Sequence, residues 1–197
     1  MRRQTEATES GNRKRSAQKM GLSGWRKELW DWSKALIVAF LLVLLLRAIV
    51  FQLSTVKSYS MEPTLREHEW LFINKIVLNI GKLDRGDVVI LKDPSEGPDR
   101  KQFLVKRIVG IPGDTLEIRD GQLYINGALK VEPYTDVLIE DDDLAALTVA
   151  AGHYFVMGDN RHKSASKDSR KFKQVPEELI KGRADLIIWP ISRWDKL

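Results

Sequence analysis

Residues 35–46 (Ala-Leu-Ile-Val-Ala-Phe-Leu-Leu-Val-Leu-Leu-Leu) carry no polar side chain, and after Arg47 the apolar character resumes through Ala48, Ile49, Val50 and Phe51. A helix over residues 35–51 just reaches the length that crosses a hydrocarbon layer of ~30 Å. Arg47 falls near one end, where its long stem can carry the charge to the headgroups. Trp25, Trp30 and Trp32 flank the other end, and indole rings suit the membrane interface. A helix buried in a soluble core would show polar positions every three or four residues, and none occur before Arg47. A cleaved secretory signal would end in small residues, whereas Phe51-Gln52-Leu53-Ser54 is bulky. The run is therefore expected to be an uncleaved transmembrane anchor, which makes the lipid bilayer a partner of the chain.

Charge is spread unevenly around this run. The 197 residues carry a net charge of +5, but residues 1–34 hold Arg2, Arg3, Arg13, Lys14, Arg15, Lys19, Arg26, Lys27 and Lys34 against only Glu6, Glu9, Glu28 and Asp31. With almost no aliphatic residues before Leu22, this segment is expected to be a disordered basic arm. No helix-turn-helix or base-stacking aromatic pattern follows it, so nucleic acid is not an expected partner. A basic flank ahead of the anchor places the N-terminus in the cytoplasm and residues 52–197 outside, giving a single-pass protein of the cell membrane.

Beyond the anchor the pattern shifts to short β-type runs punctuated by Gly, Pro and Asp. Strands are expected at residues 70–74, 87–92, 103–109, 154–157 and 184–189. The clearest hairpin joins residues 115–119 to 122–125 through Asp120-Gly121, a pair that accepts the positive φ of a type I′ turn, and Asn126-Gly127 starts a second turn. Residues 93–100 read as an exposed loop. The stretch 134–151 is set apart as an insertion. Its acidic run Glu140-Asp141-Asp142-Asp143 lacks the alternating spacing of a calcium loop, so a solvated surface is expected there rather than a metal site. The expected fold is mainly β: one N-terminal transmembrane helix followed by an extracytoplasmic all-β domain of antiparallel sheets. The chain has no cysteine, so this domain must be held by its core rather than by disulfides.

Two short segments carry the chemistry. Ser60 opens Ser60-Met61-Glu62-Pro63-Thr64-Leu65, and Lys106 opens Lys106-Arg107-Ile108-Val109-Gly110-Ile111-Pro112-Gly113-Asp114. A serine hydroxyl is a poor nucleophile near neutral pH and needs a base to remove its proton. The three histidines, His68, His153 and His162, sit in contexts that match no serine–histidine–carboxylate arrangement. Thiol chemistry is excluded, and no paired-histidine motif marks a metal site, so neither a metal nor a cofactor is expected. A lysine can act as the base if apolar burial lowers its pKa from ~10.4 to ~7 to 8. In a strand, Lys106 shares a face with Leu104 and Ile108, and an inward face would keep its amine neutral. An edge strand would instead leave Lys106-Arg107 as a solvated basic pair, and alternation alone does not choose between the two.

These segments, with Gly158-Asp159-Asn160-Arg161 and the apolar run ahead of them, resemble the bacterial type I signal peptidases over roughly residues 35–190. The resemblance implies a membrane-anchored serine endopeptidase that removes signal peptides from exported preproteins after small-x-small (Ala-x-Ala-like) sites. In that family the serine of the Ser-Met-x-Pro-Thr-Leu box is the nucleophile and the lysine opening the Lys-Arg-x-x-Gly-x-Pro-Gly-Asp box is the general base, which implies those roles for Ser60 and Lys106. By the same likeness the Ser60 backbone N–H would help to form the oxyanion hole, and Ser58 stands where some members contribute a hydroxyl.

The third box departs from the pattern. Family members read Gly-Asp-Asn-Arg-x-x-Ser-x-Asp-Ser-Arg, and this chain is two residues longer between Arg161 and Asp168. Counting from Asn160-Arg161 makes Ser164 the lysine-orienting serine. Counting back from Asp168-Ser169-Arg170 makes it Ser166, which is preferred because that end of the box is intact. Asp159, Asp168 and Arg170 are expected to hold the loop rather than to react. Substrate would bind as an added strand with its small residues in shallow apolar pockets, for which Met61 and nearby aliphatic residues are candidates. Two other readings share these features: a self-cleaving repressor-type serine/lysine protease, and a membrane-tethered β domain that binds partners without catalysis.

Overall fold

The computed structural model describes residues 21–197, so the expected disorder of residues 1–20 lies outside the described residues. The chain divides between Arg47 and Ala48 into two units. The first is dominated by helix α1, Gly21–Ile49. Its 22-residue stretch Trp25–Leu46 is long and apolar enough to cross a membrane, and none of it is buried. A helix apolar on every side satisfies its backbone internally and finds its best solvent in lipid.

Residues 21–34, expected to be part of a disordered arm, are helical instead. Once residues 35–46 have nucleated a helix, each added turn costs little, and no proline interrupts residues 21–34. An exposed Lys34–Asp31 pair at 3.2 Å and a Ser33 Oγ–H donating to the Trp30 carbonyl at 2.8 Å lie along this extension. At the other end the helix stops at Ile49, two residues short of the expected boundary, because Phe51 opens a strand.

The second unit is built from two antiparallel sheets. The larger has the order β1 (Phe51–Thr55), β2 (Trp70–Asn74), β11 (Ile180–Trp189), β3 (Val88–Lys92), β4 (Phe103–Gly110), β9 (His153–Met157) and β10 (Val175–Pro176), with β12 (Asp195–Lys196) also on β11. The smaller runs β7 (Ala128–Leu129), β6 (Gln122–Ile125), β5 (Thr115–Arg119) and β8 (Leu144–Thr148). Single turns of helix, α2 (Val77–Ile80) and α3 (Ser169–Phe172), sit between strands.

Both faces of the larger sheet are covered, and alternation along β3 shows how. Val88 and Ile90 pack with Met61, Leu65 and Leu71, whereas Val89 and Leu91 pack with Leu104, Ile108 and Val156. A third cluster, around Leu116, Ile118, Phe155 and Met157, joins the smaller sheet to β4 and β9. The β5–β6 hairpin turns through Asp120 (φ 51°) and Gly121 (φ 71°), and the second turn through Asn126 (φ 54°) and Gly127 (φ 79°). Strand β11 begins four residues before the expected residue 184. A Cβ at Gly182 would lie 3.0 Å from the Asn74 carbonyl oxygen, so a glycine that looks like a strand breaker is what lets β11 close on β2.

Candidate active site

Ser60 lies in a single 3-10 turn, Tyr59–Met61. Ser58 precedes the turn in extended conformation, and its Oγ accepts a hydrogen bond from the Ser60 N–H at 3.3 Å. The turn is fixed from both sides. Met61 and Leu65 are buried in the core beneath it, and the Leu65 N–H donates to the Met61 carbonyl at 2.9 Å. From the opposite side, the Asn160 N–H donates to the Ser60 carbonyl at 3.2 Å and Asn160 Nδ2 to the Tyr59 carbonyl at 3.1 Å.

Lys106 comes from the middle of β4, in register with Val89 of β3. Its flanking same-parity residues, Leu104 and Ile108, are buried, which decides what alternation alone left open, and Lys106 itself is only 1% exposed. The amine lies 2.6 Å from Ser60 Oγ and 2.8 Å from the Val105 carbonyl oxygen. Burial pushes its pKa from the ordinary 10.5 down to about 8; Asp168 and Asp159 pull it back up, while Lys101 and Arg170 push it further down. An amine of that pKa is neutral in roughly one molecule in ten at pH 7 and in about half at pH 8. At this distance it can take the hydroxyl proton directly.

The loop from Gly158 to Arg170 closes the site. Gly158 has no room for a side chain, since a Cβ there would collide with the Ser60 carbonyl oxygen and with Ser166 Oγ. Ser166 is 1% exposed; its hydroxyl lies against the Asp168 carboxylate and helps to hold it charged, without a well-aligned hydrogen bond to any of the described residues. Ser164 is placed differently: it is exposed, adopts φ 60°, and lies in a turn closed by the Ala165 N–H donating to the His162 carbonyl at 3.0 Å. The two extra residues of the box are taken up by this outward turn, and the chain re-enters the core at Ser166. Asp168 then caps α3 and accepts from the Gly158 N–H at 3.1 Å. Burial pushes its carboxyl up, but the hydrogen bonds and charge of Arg170 hold it below the usual range.

Several supporting residues were not singled out for these roles in the sequence. Arg107 pairs with Asp159 through two buried hydrogen bonds of 2.9 and 2.7 Å, donates to the Gly86 carbonyl at 2.7 Å, and stacks 4.1 Å from the Tyr134 ring centre. Arg161 is clamped by both oxygens of Glu132 at 2.7 Å and donates to the Gly158 carbonyl at 2.7 Å. The acidic run is not merely a solvated surface. Glu140 accepts from the Lys163 N–H at 2.9 Å, and Asp141 accepts from the Ser164 N–H at 2.9 Å while forming a 2.8 Å ion pair with Arg170. A contiguous acidic run reads as solvated because its partners are backbone N–H groups more than twenty positions away. Among the described residues, no group of three or more His, Asp or Glu is arranged to hold a metal ion.

Ser60 and Lys106 open into a cleft of about 670 Å³. One wall is residues 53–61, from β1 and the Ser60 turn, and the other is residues 101–106, leading into β4. Strand β1 is at the sheet edge, and β9 pairs with β4 only from Arg107 onward, so each wall presents strand backbone without a second neighbour. Val56, Met61, Ile90 and Leu104 supply an apolar lining.

The family model described as signal peptidase, peptidase S26, matches residues 29–189, which contain both the Ser60 turn and β4. The chain belongs to the signal peptidase family. Members of this family similar to it include signal peptidase I of Bacillus licheniformis, 36% identical over 177 residues covering 85% of this chain and 92% of that protein. Signal peptidase I T of Bacillus subtilis (strain 168) is 39% identical over 172 residues, covering 82% and 86%. A solved signal peptidase I from Enterococcus faecalis V583 is 33% identical, covers 52% of this chain and 96% of its own, and has a TM-score of 0.43. Outside the family match lie Pro190 and the C-terminal residues, and most of the basic arm.

Proposed function

We propose that this signal peptidase family member is a membrane-anchored serine endopeptidase that removes signal peptides from exported preproteins after small-x-small sites, with Ser60 as nucleophile and Lys106 as general base. The observation that carries the reading is the 2.6 Å separation of Lys106 Nζ and Ser60 Oγ, with both residues buried at the base of the cleft. A preprotein segment adds as a strand between β1 and residues 103–106, using backbone hydrogen bonds for affinity and alternate side-chain pockets for selection. The neutral amine removes the Ser60 proton as Oγ attacks the scissile carbonyl carbon. The carbonyl oxygen becomes an oxyanion facing the Ser60 N–H. In the free enzyme that N–H is engaged by Ser58 Oγ, so the Ser58 hydroxyl rotates to donate to the oxyanion beside it. The ammonium then returns its proton to the departing amine, leaving an ester on Ser60. Water, deprotonated by the same amine, hydrolyses that ester and regenerates the hydroxyl.

Ser166, buried beside the Ser60 carbonyl, orients the amine, and Ser164, on the outward turn, does not. The helix anchors the enzyme with its N-terminus in the cytoplasm and residues from about 52 onward on the extracytoplasmic side, where preproteins emerge. The test is cleavage of a purified preprotein by the full chain in detergent. Ser60→Ala is expected to abolish cleavage and Lys106→Ala to lower it by roughly 10²- to 10⁴-fold, both with unchanged circular dichroism. Full activity in either variant would overturn the assignment.

A further inference from the structure

The cleft has a charge pattern that the chemistry of the reaction does not require. Besides Lys106 it is lined by Lys57, Lys101 and Lys167, and by no aspartate or glutamate. Lys167 is neutralised by the buried Asp93 carboxylate at 3.0 Å. Lys57 and Lys101 are exposed, and neither amine has a hydrogen-bond or carboxylate partner among the described residues. They stand on opposite walls: Lys57 three residues before Ser60, and Lys101 two residues before β4. We infer that Lys57 and Lys101 select substrates by charge, so that the cleft favours preproteins with an acidic side chain near the cut and disfavours those with a basic one.

The inference deepens the proposed function and rests on it. An extended peptide between the two walls passes both ammonium groups, and its side chains alternate, so some positions project toward them and others into the apolar lining. Two unpartnered cations attract a carboxylate there and repel a lysine or arginine, and repulsion is as effective a selector as attraction. Lys101 also lies close enough to Lys106 to push that amine further toward its neutral form, which places its charge within reach of the reacting bond.

The test is a peptide series carrying one Ala-x-Ala cut site, in which each flanking position from five before to three after the bond is made Asp, Ala or Lys in turn. The series is cleaved by the full chain in detergent at low salt. At one or more positions the Asp peptide should exceed the Lys peptide in kcat/KM on the order of tenfold, and added salt should shrink that ratio. In Lys57→Glu/Lys101→Glu the ratio should fall below one. A ratio within one enzyme is independent of how much of it is active, so partial misfolding of the variant does not obscure the outcome. Equal rates for Asp and Lys peptides at every position in the wild-type enzyme would overturn the inference while leaving the peptidase reading intact. No cleavage of any peptide, the neutral ones included, would overturn both.

Discussion

The guanidinium of Arg107 meets the carboxylate of Asp159 through two buried hydrogen bonds of 2.9 and 2.7 Å, one residue along β4 from Lys106 and one along the loop from Gly158. This pair ties the strand carrying the amine to the loop carrying Ser166, so the two halves of the site cannot shift independently. Removing one partner leaves the other charge buried and unpaired. Asp159→Ala is expected to lower unfolding stability by about 3–5 kcal/mol, measured by urea unfolding in detergent. Replacing both residues with apolar side chains should recover much of that loss.

A Cβ at Gly158 would collide with both the Ser60 carbonyl oxygen and Ser166. Gly158→Ala forces one of them to move, with an expected stability cost of about 1–3 kcal/mol. Because the displaced atoms belong to the site, kcat should drop more than the stability loss alone accounts for. Single-turnover cleavage on folded protein would show this.

Ser166 and Ser164 separate by burial, and their variants should separate in the same way. Ser166→Ala is expected to lower kcat on the order of 10²-fold if the hydroxyl positions the amine, with KM little altered. Ser164→Ala, at an exposed turn on the cleft rim, should have a much smaller effect, and equal losses would contradict the assignment.

Asp141 holds both the Ser164 N–H and Arg170, whose carboxylate partner Asp168 acts on Lys106. Asp141→Ala should therefore reduce kcat with little change in KM. A shortened loop lacking residues 163 and 164 removes the Ser164 contact but keeps the Asp141–Arg170 pair, so the same substitution should still lower kcat in that background.

Burial of the Lys106 amine has a stability signature. The Lys106 pKa is depressed from 10.5 to about 8 in the folded state, so between those values the unfolded chain binds more protons and stability rises with pH. Below about pH 8 the full penalty applies, and above 10.5 it vanishes. Lys106→Met should accordingly stabilise the protein by about 3 kcal/mol at pH 7, less the cost of leaving the Ser60 hydroxyl unpaired. That advantage should shrink as pH passes from 8 to 10.5, as followed by urea unfolding at several pH values.

The parts of this fold that are local in sequence could be read from it. The Asp120-Gly121 turn needs only two residues that tolerate positive φ, and the Leu104, Lys106, Ile108 alternation needs only a strand. Strand β1 was hidden because Phe51 continues the apolar run, and an unbroken run gives no signal of where helix becomes strand. The Arg107–Asp159 and Arg161–Glu132 pairs were hidden because each joins residues dozens of positions apart, and a charge run such as 140–143 reveals nothing about the N–H groups it will meet. The sequence leaves Ser164 and Ser166 open because it does not show which end of a lengthened loop keeps its register. The buried Asp168 cap, fixed by Gly158 and Arg170, keeps the far end in place and leaves the extra residues to turn outward.

The most direct measurement is the pH dependence of kcat/KM for preprotein cleavage by the full-length enzyme in detergent. A neutral Lys106 amine acting on Ser60 requires a rate that rises through a single ionisation near the depressed value of about 8 and then levels off. A flat profile across that range, or a midpoint at the ordinary 10.5 of a solvated lysine, would contradict it.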